Sequence, residues 1–143
     1  MKNLFYAASL YLVLGLASGL FYREFTKANE YTAADGFTQL SVVHTHLLTL
    51  GVILLLIVLV LEKVFELSRS SLFGWFFWLY NAGLVISAAS MVVNGVLHVL
   101  GEDTGNALAG IAGAGHTIMT AGLILLFVAI GKRVLAAPVV PAA

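Results

Sequence analysis

Four side chains in this sequence can bind a metal or move a proton through an aromatic nitrogen: His44, His46, His98 and His116. Two of them stand one residue apart in the stretch VVHTHLLTLG, Val42 to Gly51, inside a run without charge from Gly36 to Leu61. The absence of cysteine removes disulfides, thiolate metal sites, iron–sulfur clusters and cysteine nucleophiles together. No aspartate or glutamate lies in any of the uncharged runs that carry the histidines. That argues against a proton relay built from acids and against a catalytic zinc with a carboxylate base. A neutral imidazole in apolar surroundings needs partners for both ring nitrogens. Facing a low-dielectric cavity, it is the usual axial ligand of b-type haem, which itself supplies the apolar surface such a cavity wants.

The elements that must position these imidazoles follow from charge. Of 143 residues 61% are hydrophobic and 10% charged, where a soluble domain carries about 25% charged residues. Mean hydropathy is +1.02. Seven basic and seven acidic residues balance to a net charge of zero, which gives no footprint for nucleic acid. The charges cluster, leaving uncharged runs at Asn3–Tyr22, Gly36–Leu61, Ser70–Gly101 and Thr104–Gly131. Each reaches the ~20 residues needed to cross a hydrocarbon core. Continuous apolar runs with every backbone group to be satisfied internally predict helices. The expectation is an all-α integral-membrane four-helix bundle in one domain, with spans near 4–22, 39–61, 73–98 and 107–130. The first run exceeds the ~7–15-residue core of a secretion signal, so it is read as a span and not as a cleaved leader. Residues 136–143 read as a loose tail.

Lysine and arginine set the orientation. The N-terminus, the 62–71 connection and the C-terminus hold Lys2, Lys63, Arg69, Lys132 and Arg133; the other two connections hold only Arg23 and Lys27. Positive charge stays inside, so both termini are expected in the cytoplasm, with Trp75 and Trp78 in an inner aromatic belt. All four histidines then fall in the outer half of the membrane. At ~1.5 Å per residue, His44 lies ~8 Å, His46 ~11 Å and His116 ~14 Å below the outer boundary, and His98 nearly at it.

Faces separate the candidates. His44 and His46 are ~200° apart on a regular helix, so one ion does not take both. His98 shares a stripe with Asn94, Met91 and Ser87; such a stripe serves a site or interhelical hydrogen bonding. His116 shares its face with Ala109, Ala112, Gly113, Met119 and Thr120. Gly51 falls on the face of His44. Small residues beside a histidine make room for a flat macrocycle or for a close helix, and the pattern alone does not choose. Gly15 and Gly19 read as a packing seam. Arg23 and Lys27, after the first span, are the candidates to hold haem propionates, with Tyr22 and Tyr31 adding hydrogen bonds; ordinary flanking charge is the alternative.

Two resemblances rest on these residues. FYREFTK after the first span, TQLSVVHTHLLTLG in the second, LEKVF after it and GIAGAGH in the fourth make the chain resemble a family of small bacterial four-span membrane proteins of unknown function. Separately, His44-Thr45-His46-Leu47 resembles the H-T-N segment in helix two of the nitric oxide reductases and cbb3-type oxidases of the haem-copper oxidase superfamily. That resemblance implies His44 as a ligand of a low-spin haem b, with His46 at the asparagine position. An H-x-H elsewhere in that superfamily faces two haems, which matches the opposed faces of His44 and His46. Its twelve helices form three sets of four, so a four-span chain implies a homo-oligomer such as a trimer, with haem between copies. The copper-site histidine pair and its tyrosine have no counterpart here, so oxygen reduction is not implied.

The leading expectation is therefore a protein of the bacterial inner membrane that binds haem b, with axial ligands drawn from His44, His116 and His46 in that order. His98, Arg23, Lys27, Gly51 and Gly113 would line the site. Its role would be electron transfer with an unidentified redox partner, or redox or gas sensing, without evidence of catalytic turnover. The alternatives are a haem-free copper or zinc site from His44, His98 and His116 with Met91 or Met119 as soft ligands, and a non-catalytic membrane scaffold.

Overall fold

The computed structural model describes residues 1–103 and 105–136; the tail expected over 136–143 lies almost wholly outside them. Among the described residues there are four long helices and no strand: α1 (Lys2–Ala28), α2 (Leu40–Phe65), α3 (Ser71–Val99) and α4 (Gly105–Ala136). All four are long and apolar enough to cross a membrane. α1, α3 and α4 outrun their expected spans at both ends, and α2 at its C-terminal end. α1 continues through Arg23–Ala28, because loss of hydrophobicity marks the edge of the hydrocarbon and not the end of the helix; Arg, Glu and Lys are good helix formers.

Short connections make the helices run antiparallel. α1 lies along α2, α4 lies along α3 in the most extensive contact of the fold, and α2 joins the two pairs. Trp75 and Trp78 are exposed near the start of α3, as a lipid-facing belt requires. The α2–α3 connection turns at Glu66, whose φ is +51°. The Glu62 carboxylate accepts the Ser68 N–H at 2.7 Å. Arg133 ties the end of α4 to the same turn, donating to Phe65 O at 2.8 Å and pairing with Glu66 at 3.3 Å.

Lipid tails are as apolar as leucine, so helix association in a membrane depends on close packing. Glycine supplies it here. A Cβ on Gly83 would sit 2.5 Å from the Met119 amide nitrogen and 2.6 Å from Gly115 O. One on Gly122 would meet the Tyr80 backbone at 2.8 Å. Gly15 and Gly19 form the expected seam, both facing α2. Gly110 and Gly113 differ: nothing lies within 4 Å of either position, and both are exposed.

These contacts predict opposite effects of one added methyl. Gly83→Ala must push α3 and α4 apart, costing ~1–3 kcal/mol as overpacking does and lowering the thermal unfolding midpoint in detergent. Gly113→Ala should leave the midpoint unchanged or slightly raised. Equal midpoints for the two variants would contradict the glycine-mediated seam.

Candidate functional site

The double-histidine turn is held at its start by a polar clamp. Thr38, 3% exposed, donates from Oγ1 to Gly95 O at 3.0 Å. Gly95 permits that approach, since a Cβ there would stand 2.5 Å from the Leu40 nitrogen. α2 is thereby pinned to α3 from its first residue.

His44 and His46 then leave in different directions, as their spacing requires. His44 faces α1: a Cβ on Gly19 would lie 3.6 Å from the His44 Cβ. Its Nδ1 is buried and has no hydrogen-bond partner, alone among the buried side-chain nitrogens and oxygens of the described residues. His46 turns its Nδ1 back onto its own helix, 3.0 Å from Val42 O. His116 does the same, with Nδ1 2.8 Å from Ala112 O and 3.5 Å from the hydroxyl of buried Ser87. A carbonyl oxygen only accepts, so in both rings Nδ1 carries the proton and Nε2 keeps the lone pair. That is the tautomer that ligates a metal through Nε2, with the second nitrogen oriented by a carbonyl. His98 is exposed at the end of α3, its ring edge-on to Tyr31 at 6.0 Å.

After His46 the helix changes character. Leu47–Ile53 is π-helical. Widened turns of this kind are rare and concentrate at functional sites. Three contacts support it. Tyr80 donates its hydroxyl to Leu50 O at 3.0 Å. Gly51 is pressed against the Tyr11 ring, where a Cβ would approach within 2.5 Å. Tyr11 in turn donates to Asn81 Oδ1 at 2.9 Å. Gly51 shares the α1-facing side of His44, as its spacing indicates, but the room beside it is filled by a tyrosine. Tyr11, Tyr80 and Asn81 are the residues a search for metal ligands passes over; a glycine in mid-span and tyrosines below the membrane surface are the available signals.

The four imidazoles do not converge within one chain. His44 looks to α1, His116 lies beside Ser87 on the α3–α4 side, and His98 stands at the end of the bundle. Among the described residues, no group of three or more histidine, cysteine, aspartate or glutamate side chains is placed to hold a metal ion. Arg23 and Lys27 lie within α1 and not after it; Arg23 is exposed and pairs with its neighbour Glu24 at 3.6 Å. Met91 and Met119 are buried in the core. The histidine end of the bundle is capped by the 32–35 turn. Asp35 accepts the Thr32 N–H at 2.7 Å and its hydroxyl at 2.8 Å, and these bonds hold the carboxyl below its usual range. Beside it, burial and then the Asp35 charge push the Tyr31 phenol up.

A family model described as "Protein of unknown function (DUF2871)" matches residues 1–133. No curated protein and no solved structure matches the chain. Nothing in these comparisons supports the resemblance of His44–Leu47 to the haem-copper oxidases.

Two measurements probe this geometry. Tyr80→Phe removes one interhelical hydrogen bond, worth ~0.6 kcal/mol on average in membrane proteins. The unfolding midpoint should fall slightly, with faster amide exchange confined to residues 47–55; no local change would mean the hydroxyl does not support the π segment. For Asp35, a carboxyl lowered in the folded turn stabilises it above the ordinary aspartate range and stops doing so as pH falls through the lowered value. Protection of the Thr32 amide, its exchange measured against the intrinsic rate at each pH, should therefore be highest near neutral pH and fall in acid, and Asp35→Asn should abolish the dependence.

Proposed function

This chain belongs to the family described as protein of unknown function (DUF2871), and we propose that it is a b-type haem protein of the bacterial inner membrane, both termini cytoplasmic. The observation that carries the reading is the matched state of two imidazoles. His46 and His116 each donate Nδ1–H to a carbonyl of their own helix, leaving Nε2 as a free ligand at membrane depth. A hydrogen bond from the far nitrogen fixes ring orientation and raises ligand basicity. His44, the first choice by sequence, turns toward α1 and ranks behind them.

The donor set fits a porphyrin better than a bare ion. A copper or zinc ion would need His44, His98 and His116 together, and they occupy separate flanks. The apolar crevice bordered by Val43 and Leu47 holds about 250 Å³, below the ~300 Å³ where ligand pockets begin. A macrocycle would instead lie on the open flank of α4, where Gly110 and Gly113 leave a bare face near His116. The second axial imidazole would come from another copy, His46 being the better presented, so the working form is a homo-oligomer, with a trimer the arrangement implied by the oxidase resemblance. Arg23 and Lys27 of that other copy would meet the propionates. Haem bound this way supplies one-electron transfer, and an open sixth position would supply gas binding.

Protein purified from haem-replete cells should show a Soret band, with sharp α and β bands after dithionite. His116→Ala and His46→Ala should each lose the sharp bands or most of the bound haem, while His98→Ala keeps them. A colourless, iron-free preparation overturns the proposal.

A further inference from the structure

α1 and α3 flank α2 and leave a membrane-facing cleft of about 530 Å³ between them, in the half of the bundle that carries the N-terminus. Its walls are Tyr6, Leu10, Phe77 and Trp78, and Tyr11 and Asn81 meet across it. Val85 stands at its inner end, where the smaller crevice bordering the double-histidine turn begins. Tyr11 and Asn81 lie nine and ten residues into their helices, ~14 Å from the helix ends. A phospholipid headgroup does not reach that depth, and an acyl chain makes no hydrogen bond. Polar residues facing a cavity inside a membrane mark ligand pathways.

From this placement we infer that the cleft binds a lipophilic quinone, its ring between the aromatic walls and its polar head on Asn81. The carboxamide is suited to it. One Nδ2 hydrogen is committed to Phe77 O at 2.7 Å and one lone pair of Oδ1 to Tyr11. A second N–H and a second lone pair remain. The N–H serves a quinone carbonyl, and the lone pair serves a quinol hydroxyl. One group therefore accommodates both redox forms. Tyr11 keeps the amide in place, because its own ring is wedged against Gly51. The inference stands whether or not the chain carries haem.

Trp78 lines the cleft and Trp75 does not, and these are the two tryptophans of the chain. Trp75→Phe protein in detergent, titrated with a decyl-substituted benzoquinone, should show saturable quenching of Trp78, reversed by excess of the matching quinol. Asn81→Leu should weaken the apparent Kd at least tenfold. Val85→Phe, which fills the cleft from a position 54% exposed, should abolish saturation and decides the matter if Asn81→Leu does not fold. Quenching that rises linearly overturns the inference, as does an unchanged Kd in both variants. Displacement by equimolar dodecane would reduce the cleft to a hydrocarbon groove. Quenching absent from a dimer, but gained on its dissociation, would assign the cleft to a second copy.

Discussion

Hydrocarbon offers no partner to a polar atom, and most of this structure is a set of answers to that constraint. Hydroxyls within the helices return to their own backbone: Ser9 to Phe5 O, Thr45 to Val42 O, Ser90 to Ile86 O and Thr120 to His116 O, all at 2.8–2.9 Å. A few side chains reach across to a neighbouring helix, and those bonds tie the helices together. Thr38 binds Gly95 at one level, Tyr11 binds Asn81 at another, and Tyr80 binds Leu50 between helices that also share the core. His44 is the exception, its Nδ1 left over after the rest is settled. Leaving a buried donor or acceptor unpaired costs about 1–3 kcal/mol, which sets this atom apart from the other buried side-chain nitrogens and oxygens of the described residues.

Glycine and tyrosine divide the packing between them. Where two helices must touch backbone to backbone, as at Gly83 with Met119, glycine removes the obstacle. Where a helix must be held out of its regular form, a tyrosine does it: the Tyr11 ring occupies the space a side chain at position 51 would need, and the Tyr80 hydroxyl takes a carbonyl of the widened turn. Tyr11 serves twice, since its ring packs on Gly51 while its hydroxyl bridges to Asn81. The histidine end and the cleft of the terminal half are therefore mechanically joined through one residue.

Much of the architecture was legible in the residues. The spacing of charges marks four spans because water-seeking side chains do not enter hydrocarbon, and each of the four helices is built on one of the four uncharged runs. The opposed directions of His44 and His46 follow from 3.6 residues per turn, since that segment is regular. The role of Gly15 and Gly19 as a seam was legible for the same reason. The state of the imidazoles was not. Whether Nδ1 bonds to a carbonyl four residues back depends on a rotamer, and His44 and His46 have different outcomes in the same turn. The π segment was invisible to periodic reasoning, which assumes ~100° per residue throughout. Nothing in LLTLGVI breaks a helix outright, and the cause lies in tyrosines ~30 or more residues away. The failure of His44, His98 and His116 to meet is likewise a matter of helix order around the bundle, which hydrophobicity does not encode.

The widened stretch of α2 has a meaning for how such chains diverge. A turn closed by i→i+5 bonds holds one residue more than the turn it replaces. Loss of a single residue between 47 and 53 would close that turn into an unbroken α-helix, and its two halves would keep their facing. The imidazoles could keep their neighbours while the lower half of the helix keeps its own. In a comparison of homologous chains, a one-residue gap here would mark the closing of the widened turn, with the same helices still paired on either side of it.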